Sequence, residues 1–209
     1  MAVVEIVLPQ IKKDPESAKG AVGVYPFAFN AFKNGGVIRG LQGRIVSEDG
    51  KDTSSDSRGL LVLEWPEVST FQSFIQSPAF AEFAGAMKPF SSGPPDLSVF
   101  ETNPASHLFG THPVLEVLVI RPKNPSNESE VQTILKKIQS NSTKSSDTNA
   151  VYGSTVNLPE KRVGVLRIFA NKEELADPKN ASLRQDIKSE IGSLADITQL
   201  VAEVKSIPL

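Results

Sequence analysis

With 209 residues, 22 basic and 24 acidic side chains and a net charge of −2, the chain suffices for one large or two small domains and carries no basic footprint for nucleic acid. Cysteine is absent, which excludes disulfides, thiolate chemistry and cysteine-ligated metals. No apolar run reaches bilayer-spanning length and no basic segment precedes an apolar core at the N-terminus, so no membrane association and a cytoplasmic location are expected.

The first strand is expected over about 2–8, a nearly continuous apolar run broken by one acid, Glu5. A helix follows over 15–32 with Pro15 in its first turn, and Gly20, Gly23 and Pro26 predict a kink or break near Tyr25-Pro26. Strand two is expected at 37–46, a polar hairpin loop at 47–58 and strand three at 60–65, ending at Pro66. A helical region over 67–87 falls into two pieces, because Ser77-Pro78 reads as an N-cap followed by proline at the first helical position. Strand four is expected at 97–102.

The same order then returns. Residues 114–119 (Val-Leu-Glu-Val-Leu-Val) echo residues 3–8 (Val-Val-Glu-Ile-Val-Leu), with Glu116 standing where Glu5 stands. After a strand at 113–120, Asn127-Glu-Ser-Glu130 resembles a capping box, and Val131, Ile134, Leu135 and Ile138 form an apolar helical stripe. A polar loop at 140–149, strands at 151–157 and 163–170, a helix at 180–191 and a strand at 200–207 complete the second half. Gly40 aligns with Gly153, Leu63 with Leu166 and Glu101 with Glu203. The expected fold is therefore α+β: two tandem ferredoxin-like (βαββαβ) repeats, 1–102 and 113–209, joined by a linker at 103–112 and forming an intramolecular α+β barrel.

Leu61-Val-Leu-Glu-Trp-Pro66, then Phe71-Gln-Ser-Phe74 and Ser77-Pro-Ala-Phe80, resembles the dimeric α+β barrel superfamily, which includes antibiotic-biosynthesis monooxygenases and stress-responsive A/B barrel proteins. The chain is most similar to fungal tandem-domain members; its second half lacks the Trp and the Ser-Pro pair. The resemblance implies two four-stranded sheets closing a barrel with helices outside, and a small-molecule pocket between sheet and helices. Its implied activities include cofactor-free oxidation, cyclisation or isomerisation of aromatic or polyketide-like compounds, and haem or chlorite chemistry, a breadth that leaves the substrate open. The family's cyclases use a histidine-tyrosine pair with the histidine early in the first strand. Glu5 and Glu116 occupy that region here, with no histidine on either strand.

Glu5 and Glu116 are either register-setting partners of Arg39, Arg44 or Arg167, or general bases raised in pKa by burial. Tyr25, beside a helix break among phenylalanines, is a candidate hydrogen-bond donor to an enolate or carbonyl oxygen. His107 and His112 are the only histidines and both lie in the linker, so no metal motif is expected; His107 is a candidate proton carrier and a weak haem ligand. Nine of the eleven phenylalanines lie in the first half, which is expected to hold the ligand pocket. The expected catalytic set is Glu5, Tyr25, Arg39 and His107. The substrate-binding set is Phe29, Trp65, Phe74, Phe83, Tyr152 and Arg167. Trp65, at the end of strand three, is mainly a packing residue. No metal or cofactor is expected, and the partner is a small aromatic or polyketide-like molecule bound by a monomer or homodimer. A non-catalytic binding or stress-associated barrel, and a haem protein, stand as alternatives.

Overall fold

A computed structural model describes all residues except 57, 125–126 and 145–149, and the side chains of 143–144. Among the described residues nine strands and six helices form an α+β fold. β1 is Ala2–Leu8, β2 Arg39–Glu48, β3 Lys51–Asp52, β4 Gly59–Trp65, β5 Asp96–Thr102, β6 Val114–Pro122, β7 Val151–Thr155, β8 Val163–Phe169 and β9 Ala195–Ser206. The helices are α1 (Pro15–Asn34), α2 (Val68–Ile75), α3 (Pro78–Met87), α4 (Glu128–Lys144), α5 (Lys172–Ala176) and α6 (Pro178–Ile191).

All strand pairings are antiparallel, in the order β2-β4-β1-β5-β7-β8-β6-β9, and β9 returns to pair with β2, closing an eight-stranded barrel. Two seams join the halves, β2 to β9 and β5 to β7. Alternation along each strand sends one set of side chains into the barrel, among them Val4, Ile6, Phe100, Val117, Leu166 and Ala202, all buried. The opposite set faces the helices and forms a separate core in each half. Val3, Leu63, Trp65 and Val99 pack under α1, α2 and α3, and Leu118, Ile120, Val163 and Val165 pack under α4 and α6.

The seams depend on two glycines. A Cβ at Gly43 would lie 2.3 Å from the Glu203 carbonyl oxygen, and one at Gly153 would lie 1.9 Å from that of Glu101. Glu101 pairs with Val3, and Glu203 with Val114, so the two seams have the same register. By register, Gly43 rather than Gly40 holds on its seam the position that Gly153 holds on the other. Likewise Glu5 pairs with Leu63 and Glu116 with Arg167.

The ends of the barrel differ. A 3-10 turn, Ser106–Phe109, plugs one end with Ala105 and Leu108 in the inner core. The other end, where β1 and β5 meet at Leu8 and Asp96, opens into a cavity of about 470 Å³.

Local structure follows the capping signals. Ser77 Oγ accepts from Phe80 N at 3.2 Å, Asp14 Oδ1 from Ser17 N at 2.8 Å and Asp177 Oδ1 from Lys179 N at 2.8 Å, each before a proline that starts a helix. Asn127 caps α4 through Ser129 N, but the Glu130 carboxylate turns to Asn124 instead of completing the box. Of the expected kink or break at Pro26, the break does not occur: α1 is helical from Pro15 to Asn34. Pro26 removes the donor for the Val22 carbonyl, and Val22 lies on the exposed face of the helix. The expected loop at 140–149 is helical to Lys144, and the rest of it lies outside the described residues. The 47–58 segment holds β3 and a 3-10 turn, Ser54–Asp56, and β9 starts at Ala195, earlier than expected. Among the described residues no helix is long and apolar enough to cross a membrane.

Gly153→Ala should destabilise the fold by about 2 kcal/mol or more, because backbone on both sides of the seam must move. Gly23→Ala, with nothing within 4 Å of the added methyl, should be neutral or stabilise by up to about 1 kcal/mol. Urea unfolding of the two variants checks the contrast.

Candidate functional site

Glu5 lies at the middle of β1, on the face covered by helices and not on the barrel lumen. It is 4% exposed. Its Oε2 accepts a hydrogen bond from the Trp65 indole Nε1 at 2.8 Å, and no other hydrogen bond reaches the carboxyl among the described residues. None of Arg39, Arg44 and Arg167 pairs with it. Trp65 is 1% exposed, held by Phe71 and Phe74 with ring centroids 5.8 and 5.3 Å away. It therefore does more than pack: it is the partner that fixes Glu5.

Above Glu5 is a cavity of about 660 Å³, bounded by the outer face of β1 and β4, by α1 and α3, and by the segment from Lys88 to Leu97. Its wall is aromatic: Tyr25, Phe29, Phe32, Phe74, Phe80 and Phe83. These rings brace one another in tilted and edge-on contacts, with Phe32 to Phe83 at 5.5 Å and Tyr25 to Phe29 at 6.0 Å. The larger apolar cavity thus lies in the half that holds most of the phenylalanines.

Burial pushes the Glu5 carboxyl up from 4.5 to about 7, and the Trp65 hydrogen bond offsets part of that rise. Burial also raises the Tyr25 phenol, so the ring keeps its proton at neutral pH. The cavity thereby combines an acid-base group that titrates near neutrality with a phenol that donates.

The corresponding carboxylate of the second half is in a different state. Glu116 is fully buried and accepts from Arg167 Nε at 2.8 Å and Nη2 at 2.5 Å, from Arg184 Nη1 at 3.0 Å and from Gln199 Nε2 at 2.6 Å. Arg167 also donates to the Asn180 carbonyl and lies over the Phe169 ring at 5.1 Å. This is a saturated structural network, with the arginines standing where the first half has its cavity.

The other expected site residues are placed apart. Arg39 pairs with Glu64 at 2.7 Å, reaches the Ser106 carbonyl at 3.4 Å and lies over Phe109 at 5.7 Å, clamping the plug. His107 lies in that plug, away from the cavity. Tyr152 packs in the second-half core, its backbone N–H donating to Asn103 Oδ1 at 2.8 Å. The structure thus brings together Glu5, Tyr25, Phe29, Phe74 and Phe83, with Trp65 beneath. Phe32 and Phe80 complete the wall; their helical spacing with Phe29 and Phe83 was the signal that could have found them.

No family model and no curated protein sequence matches the chain. The fold is similar to that of a candidate monooxygenase from Fusobacterium nucleatum subsp. nucleatum, at 12% identity and a TM-score of 0.62 over 98% of this chain and 93% of that one. It is also similar to an anthrone oxidase-like protein, at 10% identity and 0.57 over 98% and 93%. A candidate chlorite dismutase aligns at 9% identity and 0.60 over 98% and 95%. These likenesses are of fold alone.

The haem alternative does not fit the donors of this cavity. No histidine lines the cavity, the Tyr25 phenol is held in its protonated form, and Lys88 is the one cation in the wall to meet two propionates. Among the described residues no cluster of three metal-ligating side chains exists.

The chain has a single tryptophan, and its N–H is bonded to Glu5. Trp65 emission should therefore titrate with a midpoint at about 7, and Glu5→Gln should abolish that titration. The raised pKa also affects stability. The unfolded chain loses this proton near 4.5 while the folded chain keeps it to about 7, so stability falls as pH rises between the two values. Relative to wild type, Glu5→Gln should gain about 3 kcal/mol between about pH 4 and about pH 8, measured by urea unfolding at both.

Proposed function

We propose that this chain is a cofactor-independent enzyme of small-molecule metabolism that oxidises, isomerises or cyclises an aromatic or polyketide-like substrate. The observation that carries the reading is Glu5: a buried carboxyl with one hydrogen-bond partner at the floor of an aromatic cavity. Desolvation makes its carboxylate a stronger base than it is in water, and the apolar wall keeps competing water away. A neutral substrate lies between the rings of Phe29, Phe74 and Phe83. Glu5 takes a proton from an acidic C–H or O–H, and the Tyr25 phenol donates to the oxygen on which negative charge develops. The carbanion or enolate then rearranges, closes a ring or reacts with dioxygen; the names borne by the fold neighbours favour oxidation. In this reading Arg39, His107, Tyr152 and Arg167 hold the scaffold.

We further propose that the chain consists of two ferredoxin-like units, 1–102 and 113–209, with 103–112 as linker and plug, akin to the tandem members of the superfamily. The matched seams at Gly43 and Gly153 and the matched acids Glu5 and Glu116 support this division. One chain closes its own barrel, so a monomer suffices for the site.

Incubation with phenolic and anthrone-like compounds under air and under nitrogen, followed by absorbance, tests the activity. Turnover should rise with pH through about 7 as Glu5 ionises. Glu5→Gln should lower kcat by about 10²–10⁴-fold and Tyr25→Phe by about 10²-fold, both with the fold intact. Tight binding without turnover across the panel would make the protein a carrier, and an unchanged rate in Glu5→Gln would refute the mechanism.

A further inference from the structure

The aromatic cavity and the open end of the barrel abut. Pro9, Gln10 and Ser92 line both. The partition is a short ladder in which Ser92 N donates to the Gln10 carbonyl at 2.8 Å, Lys12 N donates to the Phe90 carbonyl at 2.9 Å, and Ile11 bridges Ser91. The two compartments have opposite chemistry. The cavity over Glu5 is nearly all apolar. The barrel-end cavity has an apolar floor of Ile6, Ile45, Phe100, Val119 and Leu200 and a charged rim.

That rim is cationic on balance although the chain is acidic overall. Lys12, Lys13, Arg58, Arg121 and Arg162 face three carboxylates, Glu48, Asp56 and Asp96. Two of the carboxylates are already engaged, Glu48 by Arg58 and Asp96 by Arg162 at 2.6 Å. Arg162 is also held by Ser98 Oγ at 3.1 Å. Arg121 and Lys12 donate to neutral oxygens, Thr198 Oγ1 at 3.3 Å and the Pro89 carbonyl at 2.7 Å, and neither has an ion pair among the described residues. Neutral acceptors leave both charges available to an anion.

We propose that the barrel-end rim is a subsite for an anionic tail, and that the ligand is an aromatic compound bearing a carboxylate on a short flexible arm. The ring system occupies the cavity over Glu5, the arm runs along Gln10 and Ser92, which line both cavities, and the carboxylate meets Arg121, Lys12 and Lys13. This rests on the reading of the Glu5 cavity as the site for the ring. It explains a feature that reading leaves unused: the aromatic cavity has one cation in its wall, Lys88, and an anionic group placed inside it would face the Glu5 carboxylate. The rim next door supplies the counter-charge at a distance from Glu5.

Isothermal titration with a matched pair of probes tests the proposal: a hydroxynaphthalene bearing a butanoate arm and its primary amide. The acid should bind at least about tenfold more tightly than the amide to the wild-type protein. That advantage should vanish in Lys12→Gln/Arg121→Gln and shrink in high salt, while affinity for the amide stays unchanged. Equal affinity for acid and amide, or an advantage that survives removal of the two charges, would overturn the subsite and leave the ring-binding cavity standing. Failure of both probes to bind or to perturb Trp65 emission would overturn the cavity reading and the subsite with it.

Discussion

Two backbone seams hold this molecule together. Where β2 meets β9 and β5 meets β7, the halves become one cylinder, and Gly43 and Gly153 are the points at which a side chain would push them apart. Closure satisfies the strand edges and leaves only the two-residue β3 outside the ring of eight strands. It also divides most of the buried apolar side chains into three large populations, beside a small cluster of Val46, Val114, Phe169, Leu175 and Val201. One fills the barrel and is shared by both halves, and the other two lie beneath separate helical layers. The shared interior supplies rigidity, and each helical layer is free to pack in its own way.

The two layers have packed differently, and the carboxylates show how. Burial of a charge is costly unless partners replace the lost water. The second half meets that cost with Arg167, Arg184 and Gln199, drawn from β8, α6 and β9, and so ties three elements to β6 through Glu116. The first half does not meet it. Leu63 stands at the register position of Arg167, and Glu5 is left with the Trp65 indole. A saturated carboxylate sets geometry; an under-partnered one keeps its proton up to about neutral pH, which is what acid-base chemistry requires.

Much of the element order was legible because it rests on local rules. Apolar runs marked the strands, and Ser77-Pro78 marked the start of α3. The faces of β1 and β6 were harder to read, because both sides of these strands are buried and a continuous apolar run has no parity. The partner of Glu5 lies 60 residues away on a neighbouring strand, and only the pairing of Val3 with Trp65 brings the indole within reach. The offset between Gly40 and Gly43 has the same origin: two glycines in one strand cannot be told apart until the seam is known. Gly20 looked like a helix breaker in α1, yet it is where the Phe90 ring rests, with a Cβ there only 2.1 Å from the ring. The phenylalanine count located the cavity because filling a space between sheet and helices requires bulk, whichever residues pair. Arg39 and His107 looked available for chemistry because nothing local showed that the 3-10 turn would fold back to plug the barrel.

Closure within one chain has a genetic consequence. In a barrel assembled from two copies of a shorter chain, every codon is read into two places, so a change that opens one pocket opens both. Here each position is encoded once. Arginines can accumulate around Glu116 without ever touching the neighbourhood of Glu5, and the rings around Glu5 can be exchanged without loosening the far side. Each side of the barrel can thus change its lining without altering the other.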